Sequence, residues 1–373
     1  MLLNTEENNN IFGKTTHYQE KRNSLNKKNI SECEYNKEEL QNIQNLSQYL
    51  KNNCPGLYDK LENFEYLDSG AESNVYRTNL KGNTNKFIMK LIIKEKRKKS
   101  NKKEIIIATK LKHKNIINCI GYFPIKENES ECVLMENGTF GNIRQFLKNI
   151  LKKNYFTESW LCYISFQILN GLKYCQNNKI VHYDLKLDNI IVDNMLNFKI
   201  IGFSVSFDYS KITDEEIELY FAGTGFFMAP EVIKCETIKL KDINKIDIYS
   251  LGVILYRLAY CCYPFGLTHE DSKNYDKIYE KIMNNKFEIN EDYNYSKHFV
   301  DFIKKCLEKD INKRISINES LEDYWIKGAD ILNNEKENLY NINSFIAFLL
   351  TDSFYQFNNY LNKEESNYNY NYI

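Results

Sequence analysis

The spacing of apolar residues changes character along the chain. Residues 1 to 36 are polar, with few apolar positions and no sustained period, which predicts a disordered extension. From Lys37 the pattern turns helical. Leu40, Ile43, Leu46 and Leu50 recur at intervals of three and four and share one helix face, and Pro55-Gly56 ends the run. This helix is expected to pack on the domain that follows, with partner binding as the alternative. Between Phe64 and Tyr122 the signals are mostly of strands. FEYLDSG, NVYRTNL and FIMKLII are separated by turn chemistry, the second joint at Gly82-Asn83, and predict a three-strand meander. The basic run from Lys94 to Lys103 reads as a solvated helix entry, and EIIIATKLKH as a helix with Ile105, Ala108 and Leu111 on one side. From Asn142 helical spacing dominates, in FLKNILKK, in WLCYISFQILNGLKYCQ, from Ile246 to Tyr260 and from Phe299 to Leu307. Short strands are expected on either side of residues 182 to 189. A small β-rich part followed by a larger helical part predicts an α+β fold of two lobes, with a ligand cleft at their boundary. No internal repeat is evident.

Composition narrows the classes. The chain has 373 residues, 43% of them hydrophobic, enough for a sizeable core. Lys+Arg and Asp+Glu both number 50, so net charge offers no argument for nucleic acid or an anionic membrane as partner. Tyr is abundant at 28 and Pro scarce at 4, a bias with Asn, Lys and Ile that suits AT-rich coding DNA, so the Asn and Lys runs carry little functional weight. None of the 10 cysteines forms a CxxC pair, and Cys261-Cys262 suits neither a zinc pattern nor an ordinary bridge. Free thiols in a reducing compartment are the expectation. The segment MLLNTEENNN lacks the basic and apolar regions of a signal peptide, and Leu2 and the final NYNYI match no lipidation pattern. The most apolar stretch, Ile246 to Phe265, contains Asp247 and Arg257 and reads as a buried helix instead of a membrane span. These missing signals predict a cytoplasmic location, with the nucleus left open.

The most specific chemistry is HYDLKLDN, His182 to Asn189, followed thirteen residues on by Gly202-Phe203-Ser204. The DLKxxN spacing resembles the catalytic loop of eukaryotic protein kinases, and its lysine points to the Ser/Thr class. Later motifs extend the resemblance. Gly223 to Glu231 reads GTGFFMAPE, close to the family's GTxxYMAPE, and DIYSLGVILY begins at Asp247. The resemblance covers about Phe64 to Trp325. It implies a bilobal protein kinase fold at residues 64–325, preceded by the polar extension 1–36 and a helical extension 37–63. A partly helical tail, 326–373, follows, in which Phe345, Ile346, Leu349, Leu350 and Phe354 form an apolar cluster expected to dock on the large lobe or to meet a partner helix.

By resemblance, Asp184 is the base that orients the acceptor hydroxyl, Lys186 steadies the transferred phosphoryl, and Thr224 contacts Asp184. Asn189 is a magnesium ligand, and His182 is a packing residue. Lys90 in FIMK is the lysine that meets the α and β phosphates, with Glu104 as its partner. Gly70 and Val75 lie in the loop over the phosphates. Ile88 packs against the adenine face, Ile191 is a further cofactor-binding residue, Met135 is the gatekeeper, and Glu136 and Gly138 supply hinge backbone groups. Glu231 and Arg314 would form a buried ion pair, and Asp247 would anchor the catalytic loop. Asp188 would favour a basic residue in the substrate. Phosphoryl transfer needs positioning and charge neutralisation above all. ATP is therefore the implied cofactor and a protein Ser/Thr hydroxyl the acceptor.

Several residues depart from the family pattern. Asp68 and Ser73 replace two glycines of GxGxxGxV, Ile88 replaces a small alanine, and Tyr183 replaces the arginine that pairs with an activation-loop phosphate. Gly202 stands where the family has the aspartate that bridges metal to the β and γ phosphates. Neither Asp193 nor Asp208 has the register to substitute. At most one magnesium ion, or none, is the expectation. The resemblance thus implies a Ser/Thr protein kinase of weakened activity or, as the alternative, a pseudokinase that regulates or scaffolds a protein partner.

Overall fold

The computed structural model describes residues 37–69, 73–92, 102–125, 130–153, 155–290, 293–329 and Ile346, with the backbone alone for 37–40, 102–105, His269 and Ser272. The polar extension 1–36 lies outside the described residues, as do Gly70 and residues 94–101 of the basic run.

The smaller part is a five-stranded antiparallel sheet of order β1-β2-β3-β5-β4. Its strands are β1 (Leu61–Ser69), β2 (Ser73–Leu80), β3 (Lys86–Ile92), β4 (Cys119–Ile125) and β5 (Ser130–Glu136). The expected meander is present as the first three, and β5 and β4 extend the sheet beyond β3. Strand alternation gives the sheet two faces. Helix α1 (Lys37–Asn53) covers one of them: Leu46 and Leu50 are buried in a cluster with Tyr76, Met89, Leu91, Cys132 and Leu134. Burying two leucines contributes about 3–6 kcal/mol, which explains why the helical extension packs on the sheet. The opposite face carries Ile88, Lys90 and Ile92 of β3. Lys90 sits across from Val75 on β2 and Val133 on β5, and Ile88 across from Arg77 and Met135. Helix α2 (Lys102–Lys110) follows β3, with Ile107 and Ala108 buried and Ile106 exposed.

The larger part is built on α3 (Glu158–Asn177), mostly buried, and α4 (Lys245–Tyr260), almost wholly so. The helices α5 (Tyr275–Asn284), α6 (Lys297–Cys306) and α7 (Ile317–Glu322) surround them. Trp160, Tyr163, Tyr249, Phe299, Phe302 and Trp325 belong to one core cluster, and Ile346 of the tail packs against it. Phe345, Leu349, Leu350 and Phe354 lie outside the described residues. Among the described residues no helix is long and apolar enough to cross a membrane.

Short strand pairs shape the loops between these helices. β6 (Ile180–Val181) pairs with β9 (Phe207–Asp208), and β7 (Ile190–Val192) with β8 (Phe198–Ile200). β10 (Glu216–Glu218) pairs antiparallel with β11 (Thr237–Lys239), a pairing the sequence did not suggest. Between β10 and β11 lies the turn of helix Pro230–Ile233, where Glu231 meets Arg314 through two bonds of 2.6 and 3.0 Å. The Arg314 side chain has 0% exposure and Glu231 2%. Arg314 also donates to the carbonyls of Glu308 and Lys245, so its charge is fully bonded. Arg314→Met would leave the Glu231 carboxylate buried without its counter-ion. Chemical denaturation is expected to show a loss of about 3–5 kcal/mol.

Candidate active site

The loop from His182 to Asn189 is held from beneath by α4. The buried Asp247 carboxylate accepts the amide of His182 at 2.8 Å and that of Tyr183 at 2.9 Å. Burial pushes this carboxyl up, while the nearby His182 and the two amide bonds pull it down. The anchoring holds Tyr183 at φ +70°, a left-handed conformation that a bulky residue rarely adopts. The His182 ring is buried, meets the Ile201 carbonyl through Nε2 at 2.9 Å, and lies edge-on to Phe203 at 4.9 Å between centroids. It packs in the interior, in keeping with its expected part. Phe203 is buried in the same core cluster as Ile107 and Leu111.

This frame brings Asp184, Lys186, Asn189 and Thr224 together. Thr224 donates to Asp184 Oδ1 at 2.6 Å, Lys186 Nζ lies 2.8 Å from Asp184 Oδ2, and Lys186 Nζ donates to Thr224 Oγ1 at 2.7 Å. The three side chains close a ring of charge-assisted hydrogen bonds across 40 residues of sequence. Asn189 Nδ2 donates to the Asp184 carbonyl at 2.8 Å and to Oδ2 at 3.3 Å. Gly223, at φ +113°, lets Thr224 reach in: a Cβ there would stand 2.9 Å from the Tyr183 carbonyl oxygen.

The Gly202 side of the site is different. Gly202 has φ +83°, and a Cβ built on it would lie 2.6 Å from Asn189 Oδ1. The Asn189 carboxamide thus fills the space that a side chain at residue 202 would enter. Asp193 does not reach in. It accepts the amides of Met195 and Asn197 at 2.8 and 2.9 Å and pairs with Lys199 at 3.6 Å. Burial raises the Asp208 carboxyl, but its bonds to Ser210 and its pairing with Lys110 at 3.6 Å together outweigh that and lower its pKa. Among the described residues no group of three or more His, Cys, Asp or Glu could hold a metal ion. Magnesium ordinarily takes one or two carboxylates besides phosphate and water. The Asn189 amide oxygen without a carboxylate at 202 is a poor fit for that set.

The face of the sheet opposite α1 carries Val75, Ile88, Lys90 and Met135, all half-buried. Met135 packs with Ile92 and Val133. Ile191 lies directly against Gly138: a Cβ on that glycine would come within 2.9 Å of Ile191 Cδ1. Glycine there keeps the backbone close to Ile191. Of the other expected residues, Gly70 and the side chain of Glu104 lie outside what is described. Asp68 is exposed, its carboxylate turned onto the Ser69 amide at 2.8 Å. Asp188 is exposed and pairs loosely with Arg144 at 3.8 Å.

Two contributors to this region carry no sequence signal. Lys199, only 7% exposed, lies 3.0 Å from Glu136 and 3.6 Å from Asp193, tying the end of β5 to the turn after β7. Glu136 also accepts the Asn118 amide at 2.6 Å. Tyr220 stacks on Tyr183 with centroids 4.6 Å apart and planes 3° from parallel. Such a contact contributes roughly 0.5–1.5 kcal/mol beyond the area it buries. Neither residue belongs to a motif, and Glu136 lies 63 residues from Lys199 and Tyr183 37 residues from Tyr220.

A two-lobed α+β fold with this loop, this ring of hydrogen bonds and this ion pair defines a protein kinase, and comparison with known proteins agrees. The protein kinase domain family matches residues 61–326, and the chain belongs to that family. It is similar to two proteins of Dictyostelium discoideum. One is the probable serine/threonine-protein kinase mkcE, 30% identical over 237 residues, which are 63% of this chain and 31% of that protein. The other is the serine/threonine-protein kinase dst2, 29% identical over 279 residues, 73% of this chain and 23% of that protein. The matched region thus spans less than a third of each relative. The family relation is of the Ser/Thr type. Kinases of this family normally use ATP and magnesium and act on protein substrates.

Proposed function

We propose that the chain is a Ser/Thr protein kinase whose transfer is weak, because its acceptor side is complete and its metal side is not. The hydrogen-bonded ring of Asp184, Lys186 and Thr224 carries this reading. A carboxylate held by a lysine and a threonine is oriented to receive the proton of an incoming hydroxyl. Lys186 leaves a cation beside the path of the transferred group. Lys90 would meet the α and β phosphates with Glu104 as its partner, beneath a loop that includes Gly70. Val75, Ile88 and Ile191 would enclose the adenine beside Met135. Backbone groups of Glu136 and Gly138 would hold its edge. Exposed Asp188 would favour a basic residue in the protein substrate. The kinase domain is assigned to 64–325, flanked by the extensions 1–36 and 37–63 and the tail 326–373.

A second reading rests on Gly202. With Asn189 filling the space at residue 202, the chain would hold nucleotide without turning it over and act as a pseudokinase on a protein partner. Incubating the purified chain with γ-labelled ATP and a generic basic protein separates the two. Transfer above that of Asp184→Asn supports the kinase, and no transfer above it leaves the pseudokinase.

Either reading gives metal a small part in nucleotide binding, at most one ion near Asn189. The melting shift produced by ATP is therefore expected to be nearly the same with magnesium as with a chelator. A shift that appears only with magnesium would contradict this.

A further inference from the structure

Tyr183 stands where the family has an arginine that reads a phosphate on the activation loop. A tyrosine there carries no positive charge with which to hold a phosphate. What occupies the position is a set of aromatic contacts centred on Tyr220.

Tyr220 joins three parts of the molecule. Its ring lies face to face on Tyr183 at 4.6 Å, and the edge of Phe207 meets it at 6.0 Å and 66°. Its hydroxyl donates to the Val205 carbonyl at 2.8 Å, and the Tyr183 hydroxyl donates to the Tyr220 carbonyl at 3.3 Å. Val205 and Phe207 begin the loop that runs from Phe203 to Glu231, and Tyr220 lies near its end. One side chain therefore closes the loop on itself and on the catalytic loop. Tyr183 is fixed in turn, because Asp247 holds its amide and that of His182. Upstream of Tyr220, β10 is paired to β11, and the Leu219 amide donates to the Glu236 carbonyl at 3.0 Å. Downstream, the chain passes through Gly223, packed on the Tyr183 carbonyl, to Thr224 on Asp184. The stack therefore lies between the only paired strand of the loop's second half among the described residues and the threonine that completes the site.

We propose that Tyr220 is a positioning residue. Stacked on Tyr183, it sets the activation loop so that Thr224 reaches Asp184 and the acceptor peptide finds its place, with no phosphate required. The reference to an acceptor peptide rests on the kinase reading, but the ordering of the loop does not.

The test uses the full chain and three variants. Tyr220→Leu keeps apolar bulk and loses both the stack and the hydroxyl. Tyr220→Phe keeps the ring alone. Tyr183→Leu removes the other half of the stack. Hydrogen exchange is followed by mass spectrometry in peptides from 203–229, with peptides from α3 and α4 as the internal reference. Tyr220→Leu and Tyr183→Leu are each expected to raise exchange in 203–229 at least tenfold with α3 and α4 unchanged, and Tyr220→Phe to restore most of the protection. In the transfer assay the leucine variants are expected to raise the KM for acceptor peptide about tenfold with the KM for ATP unchanged. Phosphatase treatment of the wild type is expected to change neither readout. Wild-type protection in the leucine variants overturns the proposal, as does exchange raised throughout the molecule or loop protection lost on phosphatase treatment. If the wild type transfers no phosphate, the kinase reading fails while the exchange result still decides the role of Tyr220.

Discussion

Gly202→Asp is expected to raise phosphoryl transfer by about 10²- to 10³-fold in the presence of magnesium, the scale of a single well-placed electrostatic contributor to a transition state. The structure adds a condition to this gain. At φ +83° a side chain costs about 1–2 kcal/mol, somewhat less for Asp, which tolerates this region better than most residues. The new Cβ would also meet the Asn189 amide at 2.6 Å, so Asn189 must rotate. That rotation releases Nδ2 from Asp184 and leaves Oδ1 free to turn toward a metal beside the new carboxylate. The substituted chain should therefore melt lower than the wild type without ligand and recover that loss with ATP and magnesium. Paired melting curves and initial rates check both halves. A lower melting temperature without any gain in rate would show that the rest of the nucleotide side is also incompetent.

The second large effect is loss. Asp184→Asn keeps the shape of the ring but removes the charge that Lys186 and Thr224 surround. A carboxamide is a far weaker proton acceptor, and transfer is expected to fall by about 10²- to 10⁴-fold, the usual range for a general base. The fold should survive, since the Asp184 carbonyl and the Asp247 anchor are untouched. A rate equal to that of the wild type, in a variant with an unchanged melting curve, would mean that the transfer comes from elsewhere.

The sequence carried the parts of the site that depend on fixed spacing. Asp184, Lys186 and Asn189 lie on one loop, and their order alone names the chemistry. Thr224 could be added because its motif is also local. The lobes were legible for a similar reason: alternation in β1 to β3 and three-to-four spacing in α3, α4 and α6 are short-range patterns. What stayed hidden was set by contacts between distant residues. That Asn189 fills the space at Gly202 depends on a backbone angle and a side-chain direction, neither of which is written in residue types. The Tyr183–Tyr220 stack spans 37 residues and uses two tyrosines in a chain with 28 of them. Lys199 looks like any lysine until burial places it between two carboxylates. The β10–β11 pair consists of three-residue strands, too short to show a period.

The central claim is that an intact acceptor site is limited by one missing ligand at residue 202. Its most direct test is the initial rate of transfer from γ-labelled ATP against magnesium concentration, in the wild type and Gly202→Asp side by side, with Asp184→Asn as the baseline. The account predicts a low wild-type rate above the baseline that varies little with magnesium, and a steep magnesium-dependent rise in Gly202→Asp. A wild-type rate that climbs with magnesium as steeply as that of Gly202→Asp, or two rates that both stay at the Asp184→Asn baseline, would contradict it.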